Sequence, residues 1–159
     1  MALPVYVEIS GKKQGKFTGG CRRKGREGMM EAIQIDHDIK VPTDALTGDA
    51  TGKRRHGPMV FMKEIDKASP QLLQALVNNE TVTEMKLHFW TVTPQGQERE
   101  FYTITLTDGR VVDVSTMLPN IYDHEKLHPC EKVAVTYSKI EWLITDGNIV
   151  AMDDWYQPV

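Results

Sequence analysis

At 159 residues the chain is long enough for one well-buried core and too short for two ordinary domains, so a single domain over 1–159 is expected. Hydrophobic residues make up 40% and charged residues 26%, close to an average soluble globular protein, which excludes a disordered chain and a helical membrane protein. The net charge of −3 is unevenly spread: residues 11–28 carry seven basic side chains against Glu27 alone, a local +6 that leaves −9 for the rest.

In chain order, the N-terminal MALPVYVEI has no basic segment ahead of its short apolar run, so no signal peptide is expected and synthesis in the cytoplasm follows. Next come Lys12, Lys13, Lys16, Arg22, Arg23, Lys24 and Arg26 in a glycine-rich stretch. Such a patch is either a solvated hairpin whose charges block edge-to-edge aggregation, or a surface for nucleic acid. The solvated hairpin is the better reading, because Phe17 is the segment's only ring and no RNA motif or recognition helix accompanies it.

MMEAIQIDHDI (29–39) alternates as a strand does, with Met30, Ala32 and Gln34 on one face and Glu31, Ile33 and Ile35 on the other. KVPTDALTGDATGKRRHGP (40–58) holds two prolines, three glycines and a cationic cluster around only Val41 and Leu46, so no regular period fits, and a long extended loop over about 40–57 is expected. In KASPQLLQALVNN (67–79), Ser69 suits an N-cap and Pro70 the first turn. Leu72, Leu73, Leu76 and Val77 form an apolar stripe, and Asn78 and Asn79 can end the helix. A short helix over about 69–79 that plugs a barrel opening is expected, ahead of one that forms a partner groove.

MKLHFWTV (85–92) sets Met85, Leu87 and Phe89 opposite Lys86, His88 and Trp90, while EREFYTITL (98–106) and VAVTYSKIEWLI (133–144) are rich in β-branched and aromatic residues. PQGQ (94–97), TDGR (107–110) and TDGN (145–148) read as the turns between strands. The sum is a mostly β protein, an antiparallel barrel or two-sheet sandwich, with several strands half-buried on both sides.

Chemistry is sparse. GDATGKR (48–54) looks like a phosphate loop but has three residues between its glycines where four are needed, and Arg54 where a hydroxyl must reach magnesium. His37 and Asp38 are adjacent on a strand and point to opposite faces, so they cannot chelate one ion together. His124 and His128 have i, i+4 spacing but no accompanying glutamate motif, and they form the weak basis of a hydrolase reading. Cys21 and Cys130 fit two reduced thiols. No catalytic residue, cofactor or metal is expected.

HGPMVFMKEIDKASPQLLQAL (56–76) resembles the signature of the hemolysin-coregulated protein (Hcp) family, the tube-forming component of the bacterial type VI secretion system. REGMMEAIQIDHDIKVPTDALTG (26–48), GQEREFYTITLTDGRVVDV (96–114) and KIEWLITDGNIVAMDDW (139–155) carry the same resemblance, which runs from MALPVYVEI to the C-terminus in the family's order. Residues 12–24 depart from it in being more basic. The sequence ends at Val159, the last residue of DDWYQPV, and no appended toxin domain is expected.

The resemblance implies a β-barrel with one helix that assembles into a homohexameric ring. Rings would stack into a tube inside a contractile sheath, meet sheath and baseplate components, and be tipped by a trimeric spike protein (VgrG). The tube would then be expelled to the outside or into a target cell, with small effector proteins carried and stabilised in its lumen. The resemblance also implies that the long loop reaches the adjacent ring, through Pro42, Thr43, Asp44, Lys53, Arg54, Arg55 and His56, with the cations meeting acidic surface there. Neither membrane nor nucleic acid is an expected partner. The alternative is a nucleic-acid-binding β-barrel that uses residues 11–28.

Overall fold

The computed structural model describes residues 2–155. Strands β1 (Val5–Gly11), β3 (Met30–Asp36), β6 (Met59–Glu64), β9 (Cys130–Thr136), β8 (Glu98–Met117) and β7 (Thr81–Val92) each pair antiparallel with the next, and β7 returns to β1. The sheet therefore closes on itself as a barrel, and closure removes the free edges of these strands. The two-residue β2 (Gly15–Lys16) extends β1, and β4 (Ile39–Lys40) pairs with β5 (Arg55–His56) outside the barrel. A hairpin of β10 (Lys139–Ile144) and β11 (Ile149–Asp154) branches from β8.

Closure depends on the 20-residue β8, whose Tyr102–Thr107 half pairs with β10 and whose Arg110–Met117 half pairs with β9. The expected turn at 107–110 is absent. Asp108 takes a left-handed φ of 52° and the strand runs on through Gly109, because residues on both sides keep partners on β7. A Cβ on Gly109 would lie 1.7 Å from the Thr136 carbonyl oxygen, so only glycine lets the two backbones approach where β8 changes neighbours. The segment 133–144, expected as one strand, breaks at Tyr137 and Ser138 into β9 and β10. Turns 94–97 and 145–148 form as expected, with Gly96 at φ 81° and Gly147 at φ 82°.

Alternation fills the interior: Val7 and Ile9 from β1, Met30 and Ala32 from β3, Phe61 from β6, Met85 and Leu87 from β7, Leu106 from β8, and Val133 and Val135 from β9. On β3 the period slips, since a bulge between Ala32 and Gln34 leaves Gln34 exposed and turns Ile35 toward the core.

Helix α1 (Ser69–Val77) adds Ala68, Leu72 and Ala75 to the same core, as a plug should. Its buried face differs from the expected stripe: Leu72 is buried and Leu76 half-buried, while Leu73 and Val77 face outward. Small side chains at 68 and 75 allow close approach where bulkier leucine was expected. The N-cap is Ala68, not Ser69. The Ser69 hydroxyl turns inward instead, where it donates to Glu131 at 2.7 Å and accepts from Lys63 at 3.1 Å and from the Asp66 N–H at 3.0 Å. Lys63 and Glu131, both buried, pair at 2.5 Å directly beneath the helix start.

Candidate functional site

The expected loop at 40–57 is an ordered arm, not an unpaired one. The β4–β5 ladder closes its root, and a bridge between Thr43 and Ala50 closes its outer part. Asp44 builds the tip, its carboxylate accepting from the N–H groups of Leu46 at 2.8 Å and Thr47 at 2.9 Å while its own N–H reaches the Asp49 carbonyl at 2.8 Å. Those N–H groups, Thr47 foremost, hold the Asp44 carboxyl below its ordinary range. Pro42 is half-buried; Thr43, Asp44, Lys53 and Arg55 are exposed.

Arg54 and His56 belong to the barrel side of the arm, which corrects the expectation that all three cations face outward. Arg54 grips Asp153 of β11 with two hydrogen bonds, Nε at 2.5 Å and Nη2 at 2.9 Å. His56 places Nε2 at 2.8 Å from the same carboxylate and Nδ1 at 2.6 Å from the Tyr137 hydroxyl, which also meets His37 Nε2 at 2.8 Å. Trp155 stacks on His56 and donates to the Tyr137 carbonyl. Arg54 lowers the Asp153 pKa, and burial lowers that of His37 and raises that of Tyr137. The break between β9 and β10 thus positions Tyr137 as a post to which the arm is tied. Asp153, Tyr137 and His37 were not legible as a unit, because their juxtaposition depends on barrel closure.

The basic segment is more structural than a solvated hairpin. Phe17 is a core residue, and Arg26 is 6% exposed, its guanidinium 4.1 Å from the Trp90 ring and 4.7 Å from the Tyr6 ring. Glu98 takes ion pairs from Arg26 at 2.5 Å and Arg23 at 2.8 Å, and Lys16 pairs with Glu8 at 2.9 Å. Lys12, Lys13, Arg22 and Lys24 are exposed and have no ion pair among the described residues.

Two apolar surfaces are left uncovered by the described residues. On β11, which among the described residues pairs with β10 alone, Ile149, Val150 and Met152 are exposed. Ile33 of β3, Met62 of β6, Met117 at the end of β8, and Leu118 and Leu127 beyond it line a groove of about 860 Å³. His124 lies at that groove's rim and His128 on the adjoining exposed loop. Among the described residues no group of three or more His, Cys, Asp or Glu is placed to hold a metal ion, and no helix is long and apolar enough to cross a membrane. Cys21 and Cys130 are buried free thiols.

Comparison with known proteins places this geometry. A family model described as the type VI secretion system effector Hcp matches residues 6–143. The chain is 34% identical over 170 residues to the major exported protein of Pseudomonas aeruginosa, covering 100% of this chain and 99% of that protein. The solved structure of Hcp1 from Escherichia coli EAEC 042, in a variant form, superposes with a TM-score of 0.87 at 32% identity, over 97% of this chain and 99% of that one. The secreted protein Hcp3 of Pseudomonas aeruginosa gives a TM-score of 0.81 at 28% identity, over 97% and 99% of the two chains.

Proposed function

Because the chain belongs to the Hcp family of the type VI secretion system, we propose that it is the subunit of that system's inner tube, assembled as stacked homohexameric rings. The observation that carries the reading is β11, an edge strand whose first four residues, Ile149 to Met152, carry no charge and no proline and stay exposed. Such an edge is a template for another chain. The apolar groove lies on a different part of the barrel, so a neighbour that covers one surface with the other makes a head-to-tail contact, the kind that forms a ring where its rotation closes.

The arm supplies the second direction of assembly. It stands clear of its own barrel and is braced at its root by Arg54 and His56, which suits a part that Pro42, Thr43, Asp44, Lys53 and Arg55 extend to the next ring. Spike, sheath and baseplate components are then the tube's partners, and effector proteins ride in its lumen. Export runs through the secretion system itself. The work is mechanical and no catalysis is expected; a stoichiometric metal whose removal abolished an activity would overturn that.

Light scattering of the purified protein tests the reading, with a mass six times the 18.0 kDa of one chain expected and annular particles in negative stain. A mass of one chain at micromolar concentration sinks it.

A further inference from the structure

We propose that the arm tip, residues 43–51, docks on the cationic loop, residues 12–24, of a second copy of this chain. The proposal rests on the stacked-ring reading and names the surfaces that meet.

The tip is acidic and apolar at once. Between Lys40 and Lys53 the arm carries Asp44 and Asp49 and no cation, and Leu46 at its apex is 96% exposed. Its hydrogen bonds are internal: beyond the Asp44 turn, Thr51 N–H reaches the Pro42 carbonyl at 2.8 Å and Gly48 N–H the Asp44 carbonyl at 2.9 Å. A tip already shaped in the free protein loses little conformational freedom on docking.

The receiving loop is preformed too. Phe17 and Arg26 pin it to the barrel, and backbone bonds from Gly19 to Gly28 at 2.8 Å and from Gly28 to Cys21 at 3.0 Å cross-link it. Four of its cations, Lys12, Lys13, Arg22 and Lys24, stand exposed without an acid partner among the described residues. No hydrogen bond or ion pair joins loop and tip within one chain; the loop enters β3 at Met30 and the arm leaves β3 past Asp36. Two unlike, complementary surfaces on one molecule make a contact that repeats from copy to copy. This gives residues 12–24 a purpose, and it reverses the polarity expected of the arm, whose outer end presents anions.

The test keeps the tip folded. Asp44→Asn retains an oxygen for the turn, and Asp49→Lys supplies the reversed charge; Arg22→Glu with Lys24→Glu reverses the loop. Each pair alone should leave rings intact by light scattering and shorten or abolish tubes in electron micrographs, and the four changes together should restore tube length. Wild-type tubes should also shorten as salt rises. Normal tubes in either pair overturns the proposal, as does failure of the combined variant to improve on both. Wild-type rings that do not self-associate at millimolar subunit concentration also overturn it. A loop variant that loses DNA affinity while its tubes are unchanged assigns the cations to nucleic acid instead. Absence of rings in the wild type is a separate result, and it defeats the tube reading itself.

Discussion

Arg54 and Asp153 lie 99 positions apart and close a two-bond ion pair that ties the arm to the last strand of the described chain. His56 shares the same carboxylate. Asp153→Ala should therefore loosen the arm root without unfolding the barrel, and hydrogen exchange at Ile39 and Lys40 should speed up while β6 and β9 stay protected. Its pH dependence follows from the lowered Asp153 pKa. The contribution is full above the unfolded-state value of about 3.9 and is lost as pH falls through the lower folded value. Arm exchange should accelerate only below about pH 4, and an unchanged acid profile in Asp153→Ala relative to wild type would assign the anchoring elsewhere.

Lys63 and Glu131 are a buried pair beneath the start of α1, with Ser69 between them. Removing one partner leaves the other charge in the interior, so Lys63→Met should cost about 3–5 kcal/mol. Lys63→Met with Glu131→Leu removes both charges and should recover most of that loss. Chemical denaturation of the two variants checks it; a double variant as unstable as the single would mean that Ser69 and Asp66, not the charge balance, hold the helix start.

The strands were legible where one face meets the core, as on β7, because alternation survives in Met85 and Leu87. Legibility failed where a backbone irregularity resets the period. The bulge after Ala32 exchanged Gln34 for Ile35, and Asp108–Gly109, read as a turn, is a bend inside β8. An Asp-Gly pair signals local backbone freedom, and whether the chain reverses there depends on partners far away in sequence. The arm's position was visible from prolines and glycines, but its tether was not: Arg54, Tyr137 and Asp153 meet only once β8 has closed the barrel. Arg26 likewise read as a surface charge, since nothing local announces the Trp90 and Tyr6 rings that cover it.

Gly109 tests the bend. A methyl group there meets the Thr136 carbonyl at 1.7 Å, against backbone that cannot swing aside, so Gly109→Ala should destabilise by about 3 kcal/mol. Gly25, at φ 83° with open space around its Cβ position, is the control: Gly25→Ala should cost only the backbone strain, about 1 kcal/mol. Equal losses in thermal or urea unfolding would show that β8 does not need glycine at its change of partner.

Arg26 joins the basic loop to the barrel through three groups at once, the Trp90 and Tyr6 rings and the Glu98 carboxylate. Arg26→Ala should cost about 2–3 kcal/mol, from lost ring stacking and a lost charge-assisted bond, with a fall in Tm of roughly 4–12 °C for a domain of this size. Arg26→Lys should recover little, because a compact ammonium cannot cover the Trp90 ring with a plane while still reaching Glu98. Two readouts separate this role from general packing. Fluorescence of Trp90, isolated by replacing the other two tryptophans with phenylalanine, should report greater solvent access in Arg26→Ala before any unfolding. Hydrogen exchange should quicken at Gly19, Cys21 and Gly28, whose N–H groups cross-link the loop, while the β1–β7 ladder is unaffected. A lysine variant as stable as wild type, with unchanged loop exchange, would reduce Arg26 to a replaceable positive charge.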